Sequence, residues 1–196
     1  MTIGTKSLLY GYHCFFIHPI ALAVAWIKLY GWPRDYRIWI AFFVHDLGYI
    51  GKSNLDGPEG ETHPYFGARL MHTFFGGLPG KPDHREWYNF MLYHSRSLAK
   101  ADGGKPSKLC YADKLAIIIQ PTWLQVLLMS LTGEIHEYRR GQAGRTSGEG
   151  LTRAQWVERM KQHLREWMEA ELKPKNECSL TANQKAKLEI EYNSHG

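Results

Sequence analysis

The stretch that decides the fold is "IWIAFFVHDLGYIGK", residues 38–52. An apolar and aromatic run leads directly into His45 and Asp46, and this pattern predicts a buried helix that ends on a histidine and a carboxylate. Burying a carboxylate without a partner costs several kcal/mol. The rest of the chain must therefore supply a partner for Asp46, as a basic side chain, a helix end or a metal ion.

The composition is that of a globular protein, and 196 residues are enough for one domain with a hydrophobic core. Apolar residues make up 44%, charged residues 22%, and the formal net charge is +5. This mild positive charge suits an anionic substrate. It is not gathered into a long block of Lys and Arg, so we expect no stable binding of nucleic acid.

Two further features of the chain indicate its environment. The cysteines Cys14, Cys110 and Cys178 are widely spaced and form no CxxC motif, which argues against a disulfide framework and favours a reducing cytoplasm. The apolar stretch at 8–32 contains His13, His18 and a proline. We interpret it as a buried helix and expect neither a signal peptide nor a membrane span.

Almost every periodic segment of the chain predicts a helix. The predicted helices cover about 18–30, 34–47, 63–75, 84–95, 108–119, 122–140 and 152–172. Thr62, Asp83 and Ser107 are the expected N-caps, and Pro121 is expected to break the chain between two helices. The predicted fold class is all-α, with a single helical domain over 1–172 and a polar C-terminal tail over 173–196.

Four histidines and two aspartates have a chemical context and lie on different predicted helices or at their ends: His18, His45, Asp46, His63, His94 and Asp113. A helix bundle can bring such side chains together in its core. Imidazole and carboxylate are ligands of iron, manganese, cobalt, nickel and zinc. Adjacent helical residues lie about 100° apart, so His45 and Asp46 can face one pocket. The set could hold two ions about 3.5–4 Å apart.

The order and context of these residues resemble the HD-domain superfamily of metal-dependent phosphohydrolases. The resemblance covers about residues 13–120. It rests on "FVHDLGYIGK" (43–52), "HPYFGARLM" (63–71), "LYHSRSLAK" (92–100) and "SKLCYADKLA" (107–116). These segments are similar to the HD, HPxxGA, YH and ADK segments of the two-metal branch, and in particular to HD-type diadenosine tetraphosphate hydrolases.

The resemblance implies an HD-type helical bundle with the metal site in its core. The six residues above would be the ligands of a divalent metal, with two ions of iron, manganese or cobalt expected and magnesium, nickel or zinc left open. His18 is favoured over His13 as first ligand, because it matches the family pattern and two residues five apart on one helix face different ways. Asp46 would bridge the ions.

Phosphate recognition is expected from basic residues near the site: Lys52, Arg69, Arg96, Lys100, Lys108 and Lys114. Tyr49 stands where many family members carry a lysine, so Lys52 or Arg96 would take that role. These two residues and Asp46 are the candidate catalytic residues.

The function implied is hydrolysis of a phosphate ester or anhydride of a nucleotide by a metal-activated water. The substrate would be a small phosphorylated molecule. Two alternatives stay open: an HD-type mixed-valent di-iron oxygenase, and a non-catalytic HD module that binds a nucleotide. A homo-oligomer is also left open.

Overall fold

The structure, a computed structural model, describes residues 1–81, 83–140 and 149–172. Over these residues it contains ten α-helices, two short 3₁₀ turns and no strand, which confirms the all-α prediction. The helices are α1 (Ile3–Tyr10), α2 (His18–Tyr30), α3 (Tyr36–Val44), α4 (Pro64–Phe75), α5 (Glu86–Leu92), α6 (Arg96–Ala101), α7 (Lys108–Ile119), α8 (Thr122–Thr132), α9 (Glu134–Arg140) and α10 (Arg153–Leu172). The 3₁₀ turns are Leu47–Tyr49 and Gly60–Thr62.

The chain divides into two units, Met1–Arg165 and Glu166–Gly196, with the boundary inside α10. The first unit contains α1 to α9 and the larger part of α10. Of the second unit the structure describes Glu166–Leu172, the end of α10. The polar tail predicted for 173–196 lies outside the described residues.

The core of the first unit has two main clusters of buried side chains, beside a third, minor one of Leu8, Tyr49 and Leu55. The larger cluster joins α2, α3, α4, α5 and α7, and its members include Leu22, Phe42, Met71, Met91 and Leu109. The smaller cluster joins the segment after α1 to α8, α9 and α10, through Tyr12, Met129, Ile135, Trp156 and Val157. The helices that bear the predicted metal ligands belong to the larger cluster.

Several helix boundaries agree with the sequence. Helix α2 covers the predicted 18–30 and ends at Gly31, and Ser107 caps α7 by accepting a hydrogen bond from the backbone N–H of Cys110. The prediction of Thr62 as the cap of α4 was wrong. Its hydroxyl donates to the carbonyl of Glu59 instead, since the 3₁₀ turn leads directly into the helix at His63.

Other boundaries differ for physical reasons. Helix α3 ends at Val44, before the predicted 47, and the chain continues into the 3₁₀ turn. The segment 122–140 is broken at Gly133, whose φ of 85° is the left-handed conformation that ends a helix. Helix α1 ends at Tyr10, so His13 lies in the connection to α2 and does not share a helix with His18.

Within the described residues, no single helix is both long enough and apolar enough to cross a membrane. Helices α7 and α8 meet that condition only as a pair, and they are bent by 101° where they join. Cys14 and Cys110 are buried free thiols, and Cys178 lies outside the described residues.

Candidate metal centre

The six predicted ligand residues converge at the ends of several helices. They are His18 at the start of α2, His45 and Asp46 directly after α3, His63 before α4, His94 after α5, and Asp113 within α7. All six are buried except His63, which is partly buried. Five of the six thus lie at helix ends, where the chain turns and brings separate elements close together.

The six side chains form two groups that could each hold a metal ion. In each group one ligand atom per residue lies within 4.8 Å of the other two. The first group is His18, His45 and Asp113, and the second is Asp46, His63 and His94. Imidazole nitrogen and carboxylate oxygen in this combination suit first-row transition metals.

The carboxylate of Asp46 lies between the two groups. Its Oδ2 is 3.0 Å from Nε2 of His45 and 3.5 Å from Nε2 of His18. Its Oδ1 is 3.5 Å from Nε2 of His63 and 3.7 Å from Nε2 of His94. Each carboxylate oxygen therefore faces one pair of imidazoles.

Hydrogen bonds to the backbone fix the orientation of three of the imidazoles. In each, Nδ1 contacts the carbonyl oxygen three residues earlier: His45 with Phe42 at 3.0 Å, His63 with Gly60 at 2.7 Å, and His94 with Met91 at 2.6 Å. A carbonyl only accepts, so Nδ1 carries the hydrogen and donates it. In a neutral ring Nε2 then presents its lone pair to the centre, as in histidines that bind metals.

These Nε2 atoms lie very close to one another. His45 and His18 approach to 3.3 Å, and His63 and His94 to 3.0 Å. Two facing lone pairs at such distances repel unless a cation lies beside them or one ring is protonated. Oδ2 of Asp46 is also buried and makes no hydrogen bond among the described residues. The donor set therefore fits a bound cation.

The surroundings of Asp46 and His63 favour the protonation states that can bind a metal ion. Burial alone would raise the pKa of Asp46, but the imidazoles of His45 and His94 lower it well below its ordinary range. Burial and the neighbouring His94 lower the pKa of His63 well below its ordinary value. At neutral pH Asp46 is therefore ionised and His63 is neutral, which are the forms that can bind a metal ion.

Asp113 contacts the ammonium group of Lys114 as well as the imidazole of His18. Its Oδ1 lies 3.1 Å from Nε2 of His18, and its Oδ2 accepts a hydrogen bond of 2.6 Å from Nζ of Lys114. Burial would raise its pKa, but Lys114 and His18 lower it well below the ordinary value. Burial and the nearby guanidinium of Arg96 would lower the pKa of Lys114, but the carboxylate of Asp113 raises it above its ordinary value.

A cavity of about 570 Å³ opens onto the two groups, and Asp46, His63, His94 and Asp113 line it. Its basic lining residues are Arg96, Lys100 and Lys114, which were among the candidate phosphate contacts.

Lys52, the other basic residue among the candidate catalytic residues, does not line this cavity. Its Nζ donates to the hydroxyl of Thr62 at 2.8 Å, and it lines a separate pocket of about 430 Å³ together with Arg69. The lysine follows the 3₁₀ turn after Asp46, and that turn directs it away from the cavity. The structure thus brings Arg96, and not Lys52, to the candidate metal centre.

Sequence reasoning missed part of the site. His13 lines the cavity beside the ligands, with Nδ1 2.8 Å from Oγ of Ser7, and burial lowers its pKa to about 4. Trp156 and Met160 of α10 also line the cavity. They lie far beyond the segments that resemble the HD family, and their helical spacing in the sequence favours a core face or a dimer contact.

Comparisons of the chain with protein-family models, with curated proteins and with solved structures found no match. The HD-type resemblance therefore stays a prediction, and the chemistry of the site must be argued from its own residues.

Proposed function

We propose that this chain is an HD-type, metal-dependent phosphohydrolase that cleaves a phosphate ester or anhydride of a small, nucleotide-like substrate. The observation that carries the proposal is the placement of Asp46, with one carboxylate oxygen toward each pair of buried imidazoles. A buried carboxylate that separates two sets of nitrogen ligands is the arrangement that a two-metal centre needs.

The first group would hold one ion and the second group the other, with Asp46 shared between them. Iron, manganese or cobalt suits this mixture of imidazole and carboxylate. Bound ions of this kind supply a water of lowered pKa and neutralise the charge of phosphate oxygens. Asp113 would keep its orientation through the bond from Lys114.

The basic residues beside the centre suit a phosphate. Arg96 follows His94 by two residues, and Lys100 lies on the same helix, α6. Both line the cavity. A guanidinium can grip a phosphate through two parallel hydrogen bonds, whereas an ammonium acts as a point charge. We expect Arg96 to orient the phosphate and to stabilise the charge that develops on it during cleavage.

The test combines metal content with phosphate release. The purified protein, reconstituted with manganese or iron, should bind about two ions per chain and release phosphate from members of a panel of nucleotides and simple phosphate esters. Asp46→Asn keeps the shape of the side chain and should lose most of both ions and more than about 100-fold in activity. Asp83→Asn, at an exposed aspartate, is the matched control and should retain both.

Variants of one group should separate the two ions. Asp113→Asn and His94→Gln each alter a single group, so each should bind about one ion per chain. A protein that binds less than about 0.1 ion per chain after reconstitution contradicts the proposal. Phosphate release under strictly anaerobic conditions separates hydrolysis from oxygenase chemistry, since hydrolysis consumes no oxygen.

A further inference from the structure

The cavity beside the candidate metal centre is lined by two chemically different sets of residues besides its carboxylates and histidines. One set is basic, with Arg96, Lys100 and Lys114. The other set is apolar and aromatic, and we call it the apolar wall: Ile117, Met129, Tyr138, Trp156, Met160 and Leu164. The basic residues come from α6 and α7, whereas the apolar wall is built from α7, α8, α9 and α10.

The apolar wall is one continuous surface. Met129 and Trp156 belong to the smaller core cluster, and Ile117, Tyr138 and Met160 pack against that cluster. Ile117 and Met160 are only partly buried, although their neighbours Met129 and Trp156 are buried. Ile117 and Met160 therefore offer accessible apolar surface to the cavity, whereas Met129 and Trp156 are buried.

The apolar wall begins one helical turn from the metal ligands. Asp113 and Ile117 are four residues apart on α7, so they lie on the same face with Cβ atoms about 5–6 Å apart. A phosphate held between the metal centre and Arg96 would place the group esterified to it within reach of Ile117 and Met160.

The charged lining residues and the apolar wall contribute to substrate binding in different ways. Four carboxylates line the cavity, from Asp46, Asp56, Glu61 and Asp113, against three cations. Without metal ions the lining thus holds no excess of positive charge for a phosphate. Contact with the apolar wall does not depend on that balance, because it comes from removing apolar surface from water.

We propose that the substrate is a phosphate monoester whose organic group is apolar or aromatic and packs against the apolar wall. The proposal deepens the proposed function and rests on it for the cleavage step. A cavity of this volume admits a small molecule. Recognition of the organic group would come from its size and its apolar surface, because side chains of this kind offer few hydrogen bonds.

The test compares two esters that share a primary alcohol as the leaving group. With manganese-loaded protein, 2-phenylethyl phosphate should have a kcat/KM at least about tenfold above that of ethyl phosphate, since the phenyl ring adds apolar contact. Calorimetry with the non-hydrolysable 2-phenylethylphosphonate and ethylphosphonate should give the same preference in affinity. This second readout does not depend on turnover.

Two variants make the wall more polar: Met160→Gln keeps nearly the same length, and Ile117→Thr keeps the branch at Cβ but lacks the terminal methyl group. Met160→Gln and Ile117→Thr should each reduce the preference for the phenylethyl compounds by about five- to tenfold, in both kcat/KM and affinity. Leu131→Gln is the matched control. It changes an apolar residue of α8 that is 60% exposed and does not line the cavity, so it should leave the preference unchanged.

The outcomes separate the two proposals. Hydrolysis of both esters at equal efficiency, with equal affinities for both phosphonates, overturns the inference and leaves the phosphohydrolase standing. A preference that Met160→Gln and Ile117→Thr do not reduce also overturns the inference. If no ester is cleaved but the phenylethylphosphonate binds more tightly and both variants weaken it, the apolar wall stands and the phosphohydrolase fails.

Discussion

At the scale of single residues, Glu134 is the most unusual group outside the metal centre. Its side chain is fully buried, and its Oε1 accepts hydrogen bonds from the hydroxyl of Thr132 at 2.5 Å and from the backbone N–H of Tyr12 at 3.2 Å. Its Oε2 makes no hydrogen bond among the described residues and lies 3.8 Å from Nδ1 of His13. Burial raises the pKa of Glu134 to about 7, although the hydrogen bonds oppose it.

The raised pKa of Glu134 predicts a pH-dependent cost to stability. Below its ordinary pKa of 4.5 the carboxyl is protonated in both the folded and the unfolded state, so folding does not bury a charge. As the pH rises from 4.5 to about 7 the unfolded chain loses the proton first, and the free energy of unfolding falls. Glu134→Gln should therefore stabilise the protein at pH 8 by on the order of 2 kcal/mol and have little effect at pH 4.5.

Urea unfolding of the wild type and of Glu134→Gln at both pH values measures this difference, with the exposed Glu169→Gln as the control. A difference that does not change with pH would mean that the buried carboxyl is equally ionised in both states, contrary to the expectation.

At the scale of elements, the sequence located helices well where residues mark their ends. Pro19 and Gly31 enclose α2, and Ser107 sets the start of α7, so both were predicted within a residue. The end of α3 was not, since apolar residues recur after His45 and Asp46, at Leu47, Tyr49 and Ile50, and periodicity alone does not mark where a helix ends. No helix was predicted for 96–101, where α6 lies, because a segment of six residues is too short to show a helical period.

The same contrast applies to the site. The sequence predicted which six residues would meet, because each stands in a short motif with its own context. It could not predict the apolar wall, since α8, α9 and α10 reach the cavity only through long-range packing. The placement of Lys52 in a separate pocket also depends on how one turn packs, which no local pattern in the chain specifies.

The packing of that turn predicts the effect of a single methyl group. Gly48 lies in the 3₁₀ turn after Asp46, and a Cβ there would collide with the backbone carbonyl of His63. This close approach holds Asp46 and His63 together across the second metal group. Gly48→Ala should separate them, lower the free energy of unfolding by about 1–3 kcal/mol and weaken binding of the ion at that group.

Metal titration and urea unfolding of Gly48→Ala check this expectation. Gly104→Ala serves as the control, because its Cβ would meet mainly the edge of the Tyr93 ring, at 3.1 Å, and its nearest contact with backbone is at 3.5 Å. Normal stability and normal metal binding in Gly48→Ala would show that the turn can move without disturbing the centre.

At the scale of the whole molecule, the candidate metal centre joins segments that are far apart in the chain. Its ligands extend from His18 to Asp113, and between them lie α2, α3, α4, α5, α6 and part of α7. Without a cation, the facing Nε2 atoms of the imidazoles repel one another, and the buried carboxylates leave negative charge in the core. A cation that binds there would relieve this and at the same time connect most elements of the larger core cluster.

Metal binding should therefore be coupled to global stability. An unfolded chain cannot present six ligands from such distant positions, so ions bind mainly the folded state and stabilise it by mass action. Manganese at about 100 times its dissociation constant should raise the free energy of unfolding by about 2.7 kcal/mol for one site, and a chelator should reverse the gain. Thermal unfolding of chelated and manganese-loaded protein measures the shift, and Asp46→Asn should abolish most of it. Equal shifts in the wild type and in Asp46→Asn would place the stabilising ion elsewhere on the molecule, because without the bridging carboxylate neither group keeps its shared ligand.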